Sequence, residues 1–373
     1  MTDCFPADYA ASRTAFRDAA ARAGFTLEAH PLGIDTTGPD GKALTVDVAV
    51  RPAESADAPC LLLSSGLHGI EGFFGAAVQR LMLERWATQP PPTGLRCVLA
   101  HALNPFGFAQ LRRANEDNID LNRSFLLPGQ ELVTPPGYAT LDPLLNPRRP
   151  PSRWEPFLLK VLLAILRAGG KAPVKQAVAG GQYDFPQGLF YGGRGQTATG
   201  RILDQHLPGW TGGSPRVIHL DFHTGLGRSG TCKLLIDYRP DARQLATLRR
   251  LFDPGALELL ENPAAGVAYQ TSGSLGAWCV ARCAPAEYVY ACAEFGTYAD
   301  VRVLAALRAE NQAHCWAAPG SPVLKKARHL LKEMFCPAGT AWRKQVLDES
   351  ENLVANTVAG LCDGSSKNSQ PWP

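Results

Sequence analysis

Two hydrophobic rhythms divide this chain. Apolar and polar positions alternate through Leu44, Val46, Val48 and Val50, a period of two that predicts a strand over residues 44–51. Short apolar runs at 59–65, 95–101, 216–223, 232–238 and 288–298 predict further strands. Between them the apolar residues recur every three or four positions. That spacing predicts helices over 7–24, 72–86, 154–168, 241–252, 300–317, 320–335 and 339–360. The stretch 154–168, with Trp154, Phe157, Leu158, Val161, Leu162, Ile165 and Leu166, reads as a core helix. Strands alternating with helices predict an α/β fold with a mixed, mostly parallel central sheet flanked by helices. Residues 126–152 are rich in Pro and read as an irregular surface insertion. Residues 363–373 are polar and read as a disordered tail. No internal repeat and no inter-domain linker stands out, so residues 1–362 are read as one domain.

Composition narrows the function classes. The chain has 373 residues, 45% hydrophobic and 19% charged, enough for a large core. A net charge of +3 gives no basic face for nucleic acid. No apolar run of about 18 residues suggests a membrane span. The N-terminal residues lack the basic and apolar regions of a secretory signal. The ten cysteines have no paired spacing, which fits reduced thiols and a cytoplasmic setting.

Candidate chemistry sits where predicted strands end. Cys60-Leu61-Leu62-Leu63 runs into Ser65-Gly66-Leu67-His68-Gly69-Ile70-Glu71-Gly72, a strand, a Gly-rich turn and a helix start. An imidazole and a carboxylate three residues apart suit a metal, and a third ligand is then needed. His223, at the end of Val217-Ile218-His219-Leu220-Asp221-Phe222-His223, is the best candidate. The His-x-x-Glu spacing alone also suits a helix N-terminus with Glu71 near the positive end of the dipole. Asn104 likewise follows a strand closely, and in α/β sheets sites form beyond the carboxyl ends of the strands. The polar stretch from Leu111 to Phe125 reads as a solvated loop, yet Arg113, Asn122 and Arg123 in it are good donors to carboxylates and oxyanions. Glu294 interrupts the apolar run Tyr288–Phe295, and a buried acid there needs a cation partner or a catalytic task.

Taken together these segments resemble the zinc carboxypeptidase-like hydrolases of the M14 clan, and in fuller wording its DUF2817 branch. The wording includes Leu67-His68-Gly69-Ile70-Glu71-Gly72, Arg112-Arg113-Ala114-Asn115-Glu116-Asp117-Asn118, Phe190-Tyr191-Gly192-Gly193, Asp221-Phe222-His223-Thr224-Gly225-Leu226-Gly227 and Arg308-Ala309-Glu310-Asn311. The resemblance implies that His68, Glu71 and His223 hold one Zn2+ and that Glu294 is general base and then acid. It implies that Arg113 stabilises an oxyanion, that Asn122 and Arg123 grip a substrate carboxylate, and that Asp120 orients an imidazole ligand. Asp221, two residues before His223, either supports the metal or solvates a loop. Ser124 stands where many relatives carry a second Asn. Tyr269, Tyr288 and Tyr298 are all candidates for the clan's mobile substrate-side Tyr.

The expected function is zinc-dependent hydrolysis of an amide bond next to a free carboxylate, on a small peptide. The alternative is a deacylase of N-acyl amino acids or metabolite amides on the same fold. A catalytically inactive binding protein would have lost a ligand or the acidic base, and all of these are present.

Overall fold

The computed structural model describes residues 2–33, 36–259 and 272–362. The strands are β1 (Thr26–Pro31), β2 (Thr45–Arg51), β3 (Cys60–Ser65), β4 (Arg96–His101), β5 (Arg216–Ser229), β6 (Cys232–Ile236), β7 (Leu257–Leu259) and β8 (Glu287–Gly296). They form one mixed sheet in the order β1-β2-β4-β3-β5-β8-β6-β7. Its centre, β4-β3-β5-β8, is parallel. The antiparallel partners β2 and β6 flank that centre. Leu61, Leu62, Leu63, Val217, Ile218, Leu220 and Val289 of the central strands are buried, as expected of strands covered on both faces.

Helices cover the sheet. In chain order they are α1 (Tyr9–Arg22), α2 (Gly72–Thr88), α3 (Pro105–Gln110), α4 (Pro136–Leu145), α5 (Phe157–Arg167), α6 (Lys171–Ala179), α7 (Ala198–Thr211), α8 (Ala242–Leu251), α9 (Leu275–Arg282), α10 (Asp300–Trp316), α11 (Pro322–Phe335) and α12 (Thr340–Cys362). The predicted strands and helices appear within a few residues of their expected bounds. In β2 the alternation has an unexpected outcome. Its polar residue Asp47 is fully buried, because Arg13 and Arg17 of α1 bind it at 2.7 and 2.6 Å.

Two expectations change. Residues 126–152 include a regular helix, α4, hidden in the sequence by Pro136 and Pro143. The helix over 154–168 is not a core helix. Only Phe157 and Val161 of α5 are buried, while Leu158, Leu159, Leu162, Leu163 and Leu166 face outward, Leu166 at 67% exposure. An apolar residue at every spacing satisfies a buried helix and a one-sided one equally, so periodicity could not tell them apart. The strands β1 and β7 and the helices α3, α6, α7 and α9 were not anticipated. In α7, Gly200, Pro208 and Gly209 weaken the helical signal. No helix among the described residues is long and apolar enough to cross a membrane. All ten cysteines are free thiols. The tail 363–373 lies outside the described residues.

Candidate functional site

The strands deliver the site residues by register. His223 of β5 pairs with Glu294 of β8, and Asp221 lies opposite Ser64 of β3. Side chains two apart on a strand share a face, so His219, Asp221 and His223 form one row. His68 follows the end of β3, where the chain turns through Gly69–Glu71 into α2. This turn is pressed against α3. A Cβ on Gly69 would fall 2.2 Å from the Gly107 carbonyl carbon, so only glycine fits. The Gly69 amide donates to the Arg113 carbonyl at 3.1 Å, and the Asn104 side chain donates to the same oxygen at 3.1 Å. Asn104 therefore ties together the two loops that carry the site.

The loop 112–124 is held from within. Asn115 Oδ1 accepts from the Ile119 and Asp117 amides, and buried Arg112 is locked to Glu310 at 2.9 Å and to Asn118 at 2.8 Å. Arg112 thus ties the loop to Glu310 and Asn311 of α10, while Arg308 of the same helix bonds the Leu144 carbonyl and Glu155.

His68, Glu71 and His223 converge, all buried, each bringing a ligand atom within 4.8 Å of the others. His68 Nδ1 lies 2.9 Å from Glu71 Oε1, His223 Nδ1 lies 2.9 Å from Glu71 Oε2, and the two Nδ1 atoms are 3.2 Å apart. The other ring nitrogens face carboxylates. His68 Nε2 is 3.1 Å from Asp120 and His223 Nε2 is 2.6 Å from Asp221. Asp221 is in turn held by Ser64 at 2.6 Å and Tyr290 at 2.9 Å. Arg113 bridges Glu71 and Asp120, and its Nη2 stands 2.7 Å from His68 Nε2.

The electrostatics follow from these neighbours. Burial alone would raise the Glu71 carboxyl, but the imidazoles of His68 and His223 hold it well below the usual range. Against the same burial, Arg113 and His68 depress Asp120, and His223 depresses Asp221. Burial opposes charge on His223, yet Asp221 and Glu71 outweigh it and push that imidazole well above its ordinary value. Glu294 goes the other way. Burial, then the Glu71 charge, push it up to about 8, and its Oε1 accepts from the Leu226 amide at 2.8 Å.

The residues present fit a divalent cation. Two neutral-capable imidazoles and one carboxylate suit zinc, and the carboxylates behind both rings favour the tautomer a metal needs. The charge that draws a proton onto His223 is charge a cation would meet instead. Among the described residues, two other groups have a ligand set of this size, His223 with Cys292 and Glu294, and Glu28 with His30 and His206.

A cavity of about 610 Å³ lies over the cluster, and His68, Glu71, Arg113, Asn122, Arg123, His223 and Glu294 all line it. Asp120 does not, and instead bonds His68 and Arg113. Asn122 Oδ1 accepts from the Leu275 amide at 2.9 Å; Arg123 is fully buried with Nη1 on the Asn122 carbonyl. The Ser124 hydroxyl donates to the Leu121 carbonyl. Phe190 also lines the cavity, and its ring lies 5.5 Å beneath the Arg113 guanidinium. Tyr288 is buried with its hydroxyl 2.9 Å from His219, and Tyr298 is bound to Glu333, so neither reaches the cavity. Tyr269 lies outside the described residues.

Sequence reasoning missed Thr224 and Asp237. Thr224 donates its amide to Glu71 Oε2 at 3.1 Å, and its buried hydroxyl, on the cavity wall, has no hydrogen-bond partner among the described residues. Its position next to His223 was the available signal. Asp237 follows β6, lines the cavity, and has one oxygen without a partner among the described residues. Burial pushes it up to about 6.

The cluster thus lies at the carboxyl ends of the central parallel strands of an α/β fold. Residues 5–349 match the family described as "Protein of unknown function (DUF2817)", and the chain belongs to that family. No curated protein matches the chain. Solved structures similar to it include carboxypeptidase A from Helicoverpa armigera, 11% identical, covering 87% of this chain and 73% of that one, with a TM-score of 0.45. An aspartoacylase family protein from Mesorhizobium loti is 13% identical, covering 80% of this chain and 68% of its own, with a TM-score of 0.39. Succinylglutamate desuccinylase from Chromobacterium violaceum is 15% identical, covering 87% and 74%, with a TM-score of 0.33.

Proposed function

We propose that this chain is a zinc-dependent hydrolase that cleaves an amide bond next to a free carboxylate. One observation carries the reading. His68, Glu71 and His223 converge with both imidazoles backed by buried carboxylates, and Glu294 stands beside them on the wall of the same cavity. Zinc held by His68, Glu71 and His223 would supply a Lewis acid and make water a better nucleophile at neutral pH.

The chain's own residues do the rest. Glu294 takes a proton from the attacking water and gives it to the departing nitrogen, a task suited to a carboxyl raised toward neutrality. Arg113, on the cavity wall, donates to the oxygen that gains charge as the carbonyl is attacked. Asn122 and Arg123 offer an amide and a fixed positive charge to the substrate carboxylate. Asp120 and Asp221 orient the two imidazoles. The Leu226 amide keeps the Glu294 carboxyl aimed.

The test follows amine release from short peptides and N-acyl amino acids, each as the free carboxylate and as the amide. Release is expected only from the free-carboxylate set, abolished by a chelator and by Glu294→Gln. Equal release from both sets would remove the carboxylate grip, and release that survives Glu294→Gln would remove the proposed base. The second reading, an N-acyl amino acid deacylase, is favoured by the aliphatic residues on one side of the cavity.

A further inference from the structure

The cavity has two unlike sides. On one, Asn122 and Asp237 both abut the start of α9: Asn122 Oδ1 accepts from the Leu275 amide, and Asp237 Oδ1 lies 2.1 Å from where a Cβ on Gly276 would sit. Arg123 lines the cavity beside Asn122. Beyond Arg113 the character changes. Phe190, under the guanidinium, packs into a small apolar cluster with Tyr138 and Val178, and Val174 and Leu304 pack against the same cluster. Val161 and Ile165 of α5 and Leu307 of α10 continue this wall. The helices α5 and α6 thus form an aliphatic roof over one side of the site. The charged residues Lys171 and Asp300 on this side are exposed, at its rim, and Lys175 is half-buried.

We propose that this aliphatic side receives a hydrocarbon acyl chain, so that the substrate is an N-acyl amino acid with a medium or long acyl group. The inference rests on the hydrolase reading above and names its substrate class. A peptide running into this side would bury an amide at every residue, and each would need a hydrogen-bond partner. The wall of Val161, Ile165, Val174, Val178, Leu304 and Leu307 offers side chains that supply none. A hydrocarbon chain needs none, and its free energy of transfer grows with each methylene buried. In the reaction, water adds its oxygen to the acyl carbon and the carbon–nitrogen bond breaks. One proton of that water passes through Glu294 to the nitrogen, and the second leaves as the new acid ionises and ends on the freed amine. The products are a fatty carboxylate and a free amino acid, the first on the aliphatic side and the second on the side of Asn122 and Arg123.

Two readouts on zinc-loaded protein test this. The first is calorimetric binding of hexanoate, decanoate and tetradecanoate, which needs no turnover. Affinity should rise by about fourfold per methylene while the chain is still entering the wall. Ile165→Asp, at a half-buried position facing the cavity, should weaken tetradecanoate binding by about tenfold or more, since a carboxylate would meet the chain. Leu166→Asp, on the outer face of the same helix, controls for damage to α5 and should leave binding unchanged. The second readout is hydrolysis of N-acetyl-, N-hexanoyl-, N-decanoyl- and N-tetradecanoyl-alanine, with kcat/KM rising along the series.

Affinity independent of chain length, or equal effects of Ile165→Asp and Leu166→Asp, would overturn the acyl assignment. The two levels fail differently. Glu294-dependent cleavage of the acetyl compound with no chain-length preference removes the acyl inference and leaves the hydrolase. Chain-length-dependent binding with no cleavage of any amide removes the hydrolase and leaves the hydrocarbon site.

Discussion

Among the described residues two histidines and a glutamate meet twice, at His68, Glu71 and His223 and again at Glu28, His30 and His206. The second group lies half-exposed between β1 and α7. His30 and His206 sit with ring centroids 4.1 Å apart, and Glu28 is shared between His30 and the Trp210 indole, each at 3.0 Å. There Glu28 is the carboxylate on His30, and no second carboxylate stands behind either ring among the described residues. In the buried group Glu71 stands among the rings, and separate carboxylates, Asp120 and Asp221, hold their far nitrogens. The buried group also faces a cavity with a further acid, Glu294, beside it. Ligand type and distance are nearly the same in both. On the proposed reading, what separates the two is the layer behind the ligands and the space in front of them.

The largest expected effect is on metal content. His68→Ala or His223→Ala should abolish retention of zinc through dialysis, while the double variant His30→Ala with His206→Ala should keep it. Retention in the buried-site variants would reverse the comparison. Next, Glu294→Gln should lower kcat by about 10²–10⁴-fold with metal content unchanged. A loss of metal together with activity would make Glu294 a ligand. Asp221→Asn or Asp120→Asn should weaken zinc affinity by about 10–100-fold, measured against a competing chelator. No change would show that the layer behind the imidazoles is not what distinguishes the two groups.

The pH dependence of stability sharpens the comparison through a half-buried acid with no imidazole bonded to it. Asp237 is raised to about 6 by burial, whereas the carboxylates beside His68 and His223 are lowered. The unfolded chain releases this proton near the ordinary value of about 3.8 and the folded chain near 6. Stability is therefore fully present below about pH 4 and falls as pH rises to about 6. Asp237→Asn removes the ionisation. It should raise stability by up to about 3 kcal/mol at pH 8 and hardly at all at pH 4, read from denaturant midpoints at the two pH values. An equal gain at both would mean that the acid is not ionising in place.

Much of this was legible in the sequence, for stated reasons. His68, Glu71, His223 and Glu294 were readable because each marks a polar interruption where an apolar strand ends, and the sheet brings strand ends together. The register of β5 against β8 then sets His223 beside Glu294. Asp221 was left undecided because a strand residue two before a candidate ligand shares its face, but the face does not say what it touches. The cavity wall was not legible. Its roof comes from α5, read as a core helix, and from α6, not anticipated at all. The 126–152 insertion, read as an irregular surface excursion, contributes no lining residue. Thr224 and Asp237 carry no pattern of their own; their meaning lies in an orphaned polar atom, which only packing creates.

The most direct test of the central claim is a crystal of zinc-loaded protein measured at the zinc absorption edge. The account predicts an anomalous peak among His68 Nδ1, Glu71 and His223 Nδ1, with Asp120 and Asp221 still behind the two rings. A peak at Glu28, His30 and His206 with none at the buried cluster would contradict it.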